Sequence, residues 1–116
     1  MRILERDVLR ELLVQWAKGT LDERSVHEQA EVLLEEYGCP EFDESDARSI
    51  AIEVLTQLDI LNHQLITIED IPAILRFLDT PAGHERDGWA RWKRYGDRID
   101  YDQRAIELKD NPYYST

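Results

Sequence analysis

Between Ala47 and Leu78 the chain carries its densest run of aliphatic side chains, and any stable fold has to take that run out of water. In its first half, Ala47, Ile50, Ala51, Val54, Leu55, Leu58 and Leu61 recur at spacings of three and four, the period that gathers side chains on one face of a helix. Ile52 and Ile60 fall outside that stripe. A helix that is apolar beyond one face packs on several sides, so the spacing predicts a central helix over Asp46 to Asn62. The second half, Leu65 to Leu78, offers Ile66, Ile68, Ile71, Ile74, Leu75, Phe77 and Leu78 with a polar break at Glu69 and Asp70. It is expected to pack straight back on the first.

The flanking segments each offer one stripe. A first helix is expected over Leu4 to Lys18, with Val8, Leu9, Leu12, Leu13, Trp16 and Ala17 inward and Arg6, Arg10, Glu11 and Gln15 outward. Gly19 ends it, at a position where a left-handed residue needs no Cβ. Thr20 with Glu23 has capping-box spacing and opens a second helix from Leu21 to Tyr37, whose inward stripe is Val26, Ala30, Leu33, Leu34 and Tyr37. Gly38, Cys39 and Pro40 stop it, and Asp43 with Asp46, or Ser45 alone, offers the cap of the central helix. Thr67 with Asp70 repeats the capping pattern, but Pro72 forfeits a helical hydrogen bond. Either a single turn from Thr67 precedes a helix from Ile71, or one strained helix runs through; Asp79, Thr80 and Pro81 close both versions. Thr80 can cap the next helix, best defined over His84 to Tyr95 and weakened by Gly88 and Gly96. A last short helix is expected over Tyr101 to Lys109, between Asp100 with Gln103 and Asn111 with Pro112.

No strand alternation, internal repeat or low-complexity tract interrupts this pattern. The chain is therefore expected to be all-α, a compact orthogonal or bundle-like domain of five to six helices, with residues 1–116 forming one unit. A chain of 116 residues buries about two thirds of its unfolded surface, enough for a core without staples. The single cysteine, Cys39, excludes an internal disulfide framework, and with no apolar leader the chain reads as cytoplasmic. No stretch reaches the roughly 18 uninterrupted apolar residues of a membrane helix.

The formal net charge of -11 is unevenly spread. Residues 80–116 carry seven basic and seven acidic side chains, so the whole excess lies before them. From Asp22 to Asp59 twelve acidic residues face only Arg24 and Arg48. Such a segment repels nucleic acid and anionic lipid, which leaves basic proteins or water as its neighbours. Within it Glu28, Glu31 and Glu35 line one face of the second helix, and Asp43, Glu44 and Asp46 follow in the connection. The face either keeps the protein soluble or docks a basic partner.

Catalytic constellations are missing. Cys39 lies among Glu35, Glu36, Glu41 and Asp43, which disfavour a thiolate, and no nucleophile elbow or phosphate-binding loop is present. His27 with Glu31 and Asp59 with His63 are each four residues apart, but the paired Glu-x-x-His motifs of a di-metal bundle are lacking. The run Asp43, Glu44, Asp46 lacks the glycine and distal glutamate of a calcium loop. Neither catalysis, a metal nor any cofactor is therefore expected.

Trp89, Trp92 and Tyr95 occupy about a third of a helix circumference and read as a lid on the core or, alternatively, as a binding surface together with Tyr113 and Tyr114. Arg91, Arg94 and Arg98 form a basic stripe beside them that Asp87, Asp102 or the acidic helix can neutralise, and the overall charge argues against nucleic acid. In size, acidity and helical make-up the chain resembles the small bacterial immunity proteins that inhibit nuclease toxins of the colicin and pyocin kind. Those are four-helix domains with an acidic second helix and a Tyr-Tyr pair in the recognition region. Here Tyr113 and Tyr114 follow Pro112 at the C-terminus and extra helices surround the core, so no site residue carries over. The resemblance implies a non-catalytic protein that binds a basic partner. The rival readings are an accessory subunit that uses its aromatic C-terminal region, and a small helical enzyme.

Overall fold

The computed structural model describes residues 5–37 and 43–114, and every regular element among them is helical. Six α-helices follow in order: α1 (Arg6–Ala17), α2 (Glu23–Tyr37), α3 (Ser49–Asp59), α4 (Ile71–Leu78), α5 (Glu85–Asp97) and α6 (Tyr101–Leu108), with a 3-10 turn over Ile68–Asp70 ahead of α4. The all-α expectation holds. No helix among the described residues is long and apolar enough to cross a membrane.

As its spacing predicts, α3 is the centre. It packs on α1, α2 and α4, and Ile50, Ala51, Val54, Leu55, Leu58 and the following Leu61 are all buried. Ala47, placed on the same stripe, is exposed, because the helix starts at Ser49 and not at Asp46. The residues before it are held in two successive turns by their own carboxylates. Asp43 Oδ1 accepts the Ser45 N–H at 2.8 Å, and Asp46 Oδ1 accepts the Arg48 N–H at 2.8 Å. At the other end regular helix stops at Asp59 instead of Asn62, and Leu65 turns the chain at a left-handed φ of 52°.

Of the two readings around Pro72, the turn followed by a helix is the one adopted. Asp70 Oδ2 accepts the Thr67 N–H at 2.9 Å, which is the carboxylate half of the capping pair. Thr67 Oγ1 is buried without a hydrogen-bond partner. From there α4 buries Ile71, Ile74, Phe77 and Leu78 against α1 and α3.

Local corrections follow from polar groups that bond elsewhere. Asp22 caps α2, its Oδ1 accepting the Ser25 N–H at 2.8 Å, so the helix opens at Glu23 and the Thr20 box is not used. Arg6, read as outward, donates to Leu78 O at 2.8 Å and Thr80 O at 2.6 Å, placing a cation on the last carbonyl of α4 and on the chain just beyond it. Val8 and Ala17, read as inward, are exposed. Gly19, at φ 81°, ends α1 as expected. The Thr80 hydroxyl donates back to Phe77 O at 2.7 Å, so α5 starts at Glu85 without it. Gly88 is seated directly on Thr80, where a Cβ would lie 2.3 Å from Oγ1. What reads in sequence as a weak point of α5 is where two segments need closest approach. The stop at Gly38, Cys39 and Pro40 lies outside the described residues.

No residue of α6 is fully buried. Its hold on the domain is Arg104, which donates to Leu65 O at 3.1 Å and to both oxygens of Asp70 at 2.8 and 3.1 Å. Asp70 is 2% exposed and also accepts the hydroxyl of Tyr95 from α5. Burial, reinforced by the Asp70 carboxylate, pushes the Tyr95 hydroxyl from 10.0 up to about 12. A folded-state pKa above the unfolded one favours the fold fully below pH 10, and that contribution is lost as pH rises toward about 12. The denaturant midpoint should therefore hold to pH 10 and fall between there and about pH 12. A midpoint unchanged across that interval would show that Tyr95 ionises as readily in the fold as in the unfolded chain.

Candidate functional site

Glu28, Glu31 and Glu35 are all exposed on α2, as their spacing requires. Among the described residues no hydrogen bond or ion pair engages Glu28 or Glu35, so their charge faces solvent uncompensated. Asp43, Glu44 and Asp46 are placed differently. Glu44 pairs with Lys93 of α5, Asp43 lies 3.5 Å from Arg86 of α5, and Asp46 pairs with Arg48 at 3.1 Å. The backbone and hydroxyl of Ser45 hold the Asp43 carboxyl below the usual range, and the Arg48 guanidinium does so for Asp46. These three carboxylates shape the approach to α3 and tie it to α5.

The aromatic group is turned into the molecule. Trp92 stacks on buried Phe77 with ring centroids 5.2 Å apart, and Trp89 meets the same ring edge-on at 5.3 Å. Trp89 Nε1 donates to Ser49 Oγ at 2.9 Å, which satisfies the one polar atom of the ring. Tyr95 stacks on Trp92 at 5.9 Å. The segment after α6 folds back, burying Tyr113 against α2, where its hydroxyl lies 2.6 Å from His27 Nδ1. Burial pushes that hydroxyl up to about 12. Tyr114 donates its hydroxyl to Ile66 O at 2.6 Å. All five rings thus contribute to packing within the domain.

A different feature opens on the acidic side. Between α1 and α2 runs a groove of about 630 Å³, floored by Leu12, Leu21 and Leu33. Val8 and Val32 form its apolar edges at 39% and 62% exposure, and Asp7 and Glu11 stand on the α1 rim. At about 100° per residue, Val32 falls on the same arc of α2 as Glu28 and Glu35. The groove therefore has an apolar floor and an acidic α1 rim, with Glu28 and Glu35 beyond its Val32 edge. A valine inside an otherwise acidic stripe was the available sequence signal, and it lies outside the inward spacing of α2.

Packing of α2 on α3 also assembles a cluster that neither helix shows alone. One ligand atom each from His27, Glu31 and Asp59 lie within 4.8 Å of one another, with His27 Nε2 3.2 Å from Glu31 Oε1. The expected partner of Asp59, His63, is exposed in the turn beyond the end of α3. Sequence spacing pairs Asp59 along its own helix, whereas the structure pairs it across to α2. Among the described residues this is the one group that offers a metal ion three ligands.

No family model matches this chain, and no curated protein or solved structure does so either. The functional reading therefore rests on the geometry.

Proposed function

We propose that the domain is a non-catalytic protein-recognition module, of immunity or inhibitor type, whose α1–α2 face binds a basic amphipathic helix of a partner protein. The observation that carries the reading is the groove, whose apolar floor is rimmed by Asp7 and Glu11 on α1, with the unpaired Glu28 and Glu35 beyond Val32 on α2. A helix with one apolar stripe flanked by Lys and Arg matches both features, the stripe against Val8, Leu12, Val32 and Leu33 and the cations against the rims. The likeness in size and acidity to immunity proteins of nuclease toxins agrees with a basic partner.

The probe is a labelled amphipathic peptide of leucines at helical spacing with lysines elsewhere, compared with its glutamate counterpart. The lysine peptide should bind at low salt and weaken as the screening length falls from about 10 Å at 0.1 M to about 3 Å at 1 M. Changing Glu28, Glu31 and Glu35 together to Lys should slow association by at least about tenfold. The same charge change at Glu69, Asp97 and Glu107, all exposed, should slow it much less. Val8→Ser with Val32→Ser should instead raise the dissociation rate. Equal binding of both peptides, or undiminished binding by the triple-Lys variant, would make the acidic face a solvated surface and favour the aromatic, C-terminal side as the interface.

A further inference from the structure

We propose that His27, Glu31 and Asp59 form a binding site for one divalent transition-metal ion of the zinc class, joining α2 to the end of α3. This goes beyond partner recognition and shares only Glu31 with it. His27 and Glu31 are one turn apart on α2, and Asp59 is the last residue of α3, the helix packed against it. Imidazole with two carboxylates is a donor set suited to zinc and its first-row neighbours, and three protein ligands leave open positions for water. Bonds of roughly 2.1 Å place ligand atoms roughly 3.5 Å apart around a tetrahedral ion. The His27–Glu31 separation of 3.2 Å already meets this, and the cluster limit of 4.8 Å leaves a closure of about an ångström. Glu31, with a side chain 58% exposed, is free to supply that movement.

The second observation is the partner of the other ring nitrogen. Ligating histidines characteristically donate their remaining N–H to an oxygen that fixes the tautomer. His27 Nδ1 lies 2.6 Å from the Tyr113 hydroxyl, which is brought in by the segment after α6 and buried there. A hydroxyl both donates and accepts. Without a metal, the Tyr113 hydroxyl can donate to Nδ1 while Nε2 faces Glu31 Oε1 at 3.2 Å. With a metal, Nδ1–H would donate to Tyr113 and the Nε2 lone pair would meet the ion. The ring changes tautomer while keeping its hydrogen bond to Tyr113. Glu31 and Asp59 are then neutralised by a dication, in a segment with few cations of its own.

The full chain, stripped with chelator and dialysed, is titrated with Zn²⁺ against a chromophoric competitor. One ion per chain is expected in the wild type, with at least about tenfold weaker binding in both His27→Ala and Asp59→Asn, and unchanged binding in His63→Ala. Asp59→Asn keeps the shape of the side chain, so it reports on ligation even if His27→Ala is poorly folded. Tyr113→Phe should weaken binding about 10- to 100-fold, because Nδ1–H loses its acceptor. Co²⁺ should give visible bands of low-coordinate nitrogen and oxygen ligation that Asp59→Asn abolishes. Absence of a bound ion in the wild type overturns the proposal. So does equal binding by Asp59→Asn, which would mean diffuse uptake by the acidic surface.

Discussion

Asp70→Ala is expected to lower folding stability by about 3–5 kcal/mol, the scale for breaking a buried ion pair by removing one partner. The side chains of Asp70 and Arg104 are 3% and 14% exposed, so the Arg104 guanidinium would remain largely out of water with its countercharge gone. Burial works against that charge, and the Asp70 carboxylate more than offsets it, which raises the Arg104 pKa in the fold. Asp70 also takes the Tyr95 hydroxyl and the Thr67 N–H, so the same deletion loosens α5 and the turn before α4. Because α6 buries no residue fully, it has little else to hold it. Urea unfolding measures the loss. Replacing both partners, Asp70→Leu with Arg104→Met, should recover the part due to the stranded Arg104 charge and leave the part due to the Tyr95 hydroxyl and the Thr67 N–H. A loss below about 1 kcal/mol for Asp70→Ala would show that water reaches Arg104.

Leu58→Ala is the second large effect, at about 2–5 kcal/mol. Leu58 is 0% exposed on α3, which is walled by α1, α2 and α4, so a cavity there has three sides that would all have to move to fill it. The midpoint of denaturant unfolding should fall with its slope unchanged, the sign of lost packing and not of a changed unfolded state. A loss under about 1 kcal/mol would place Leu58 outside the core.

The buried register of α3 was legible because local spacing decides it: Ile50, Ala51, Val54, Leu55, Leu58 and the following Leu61 face inward whatever the partners are. Helix starts were less legible. At Asp22, Asp43, Asp46 and Thr80 short polar side chains had several backbone groups within reach, and sequence does not rank them. The candidate site divides in the same way. Exposure of Glu28, Glu31 and Glu35 follows from helical period. Pairing of Glu44 with Lys93 joins residues 49 apart in sequence, and pairing of Arg6 with the end of α4 joins residues 72 apart. Neither leaves a local signal. The α1–α2 groove leaves only Val32 within an acidic stripe as its signal, and it exists only once Val8 turns out of the core to line it with Val32.

The claim that this groove is a recognition surface is tested most directly by amide chemical-shift mapping, well suited to a protein of 13.7 kDa. Titration with the unlabelled lysine–leucine helix should shift and broaden the amides of Val8, Glu11, Leu21, Gln29 and Val32. Those of Trp89, Trp92 and Tyr114 should stay in place. Shifts centred on the aromatic side, or spread evenly over every acidic residue, would contradict it.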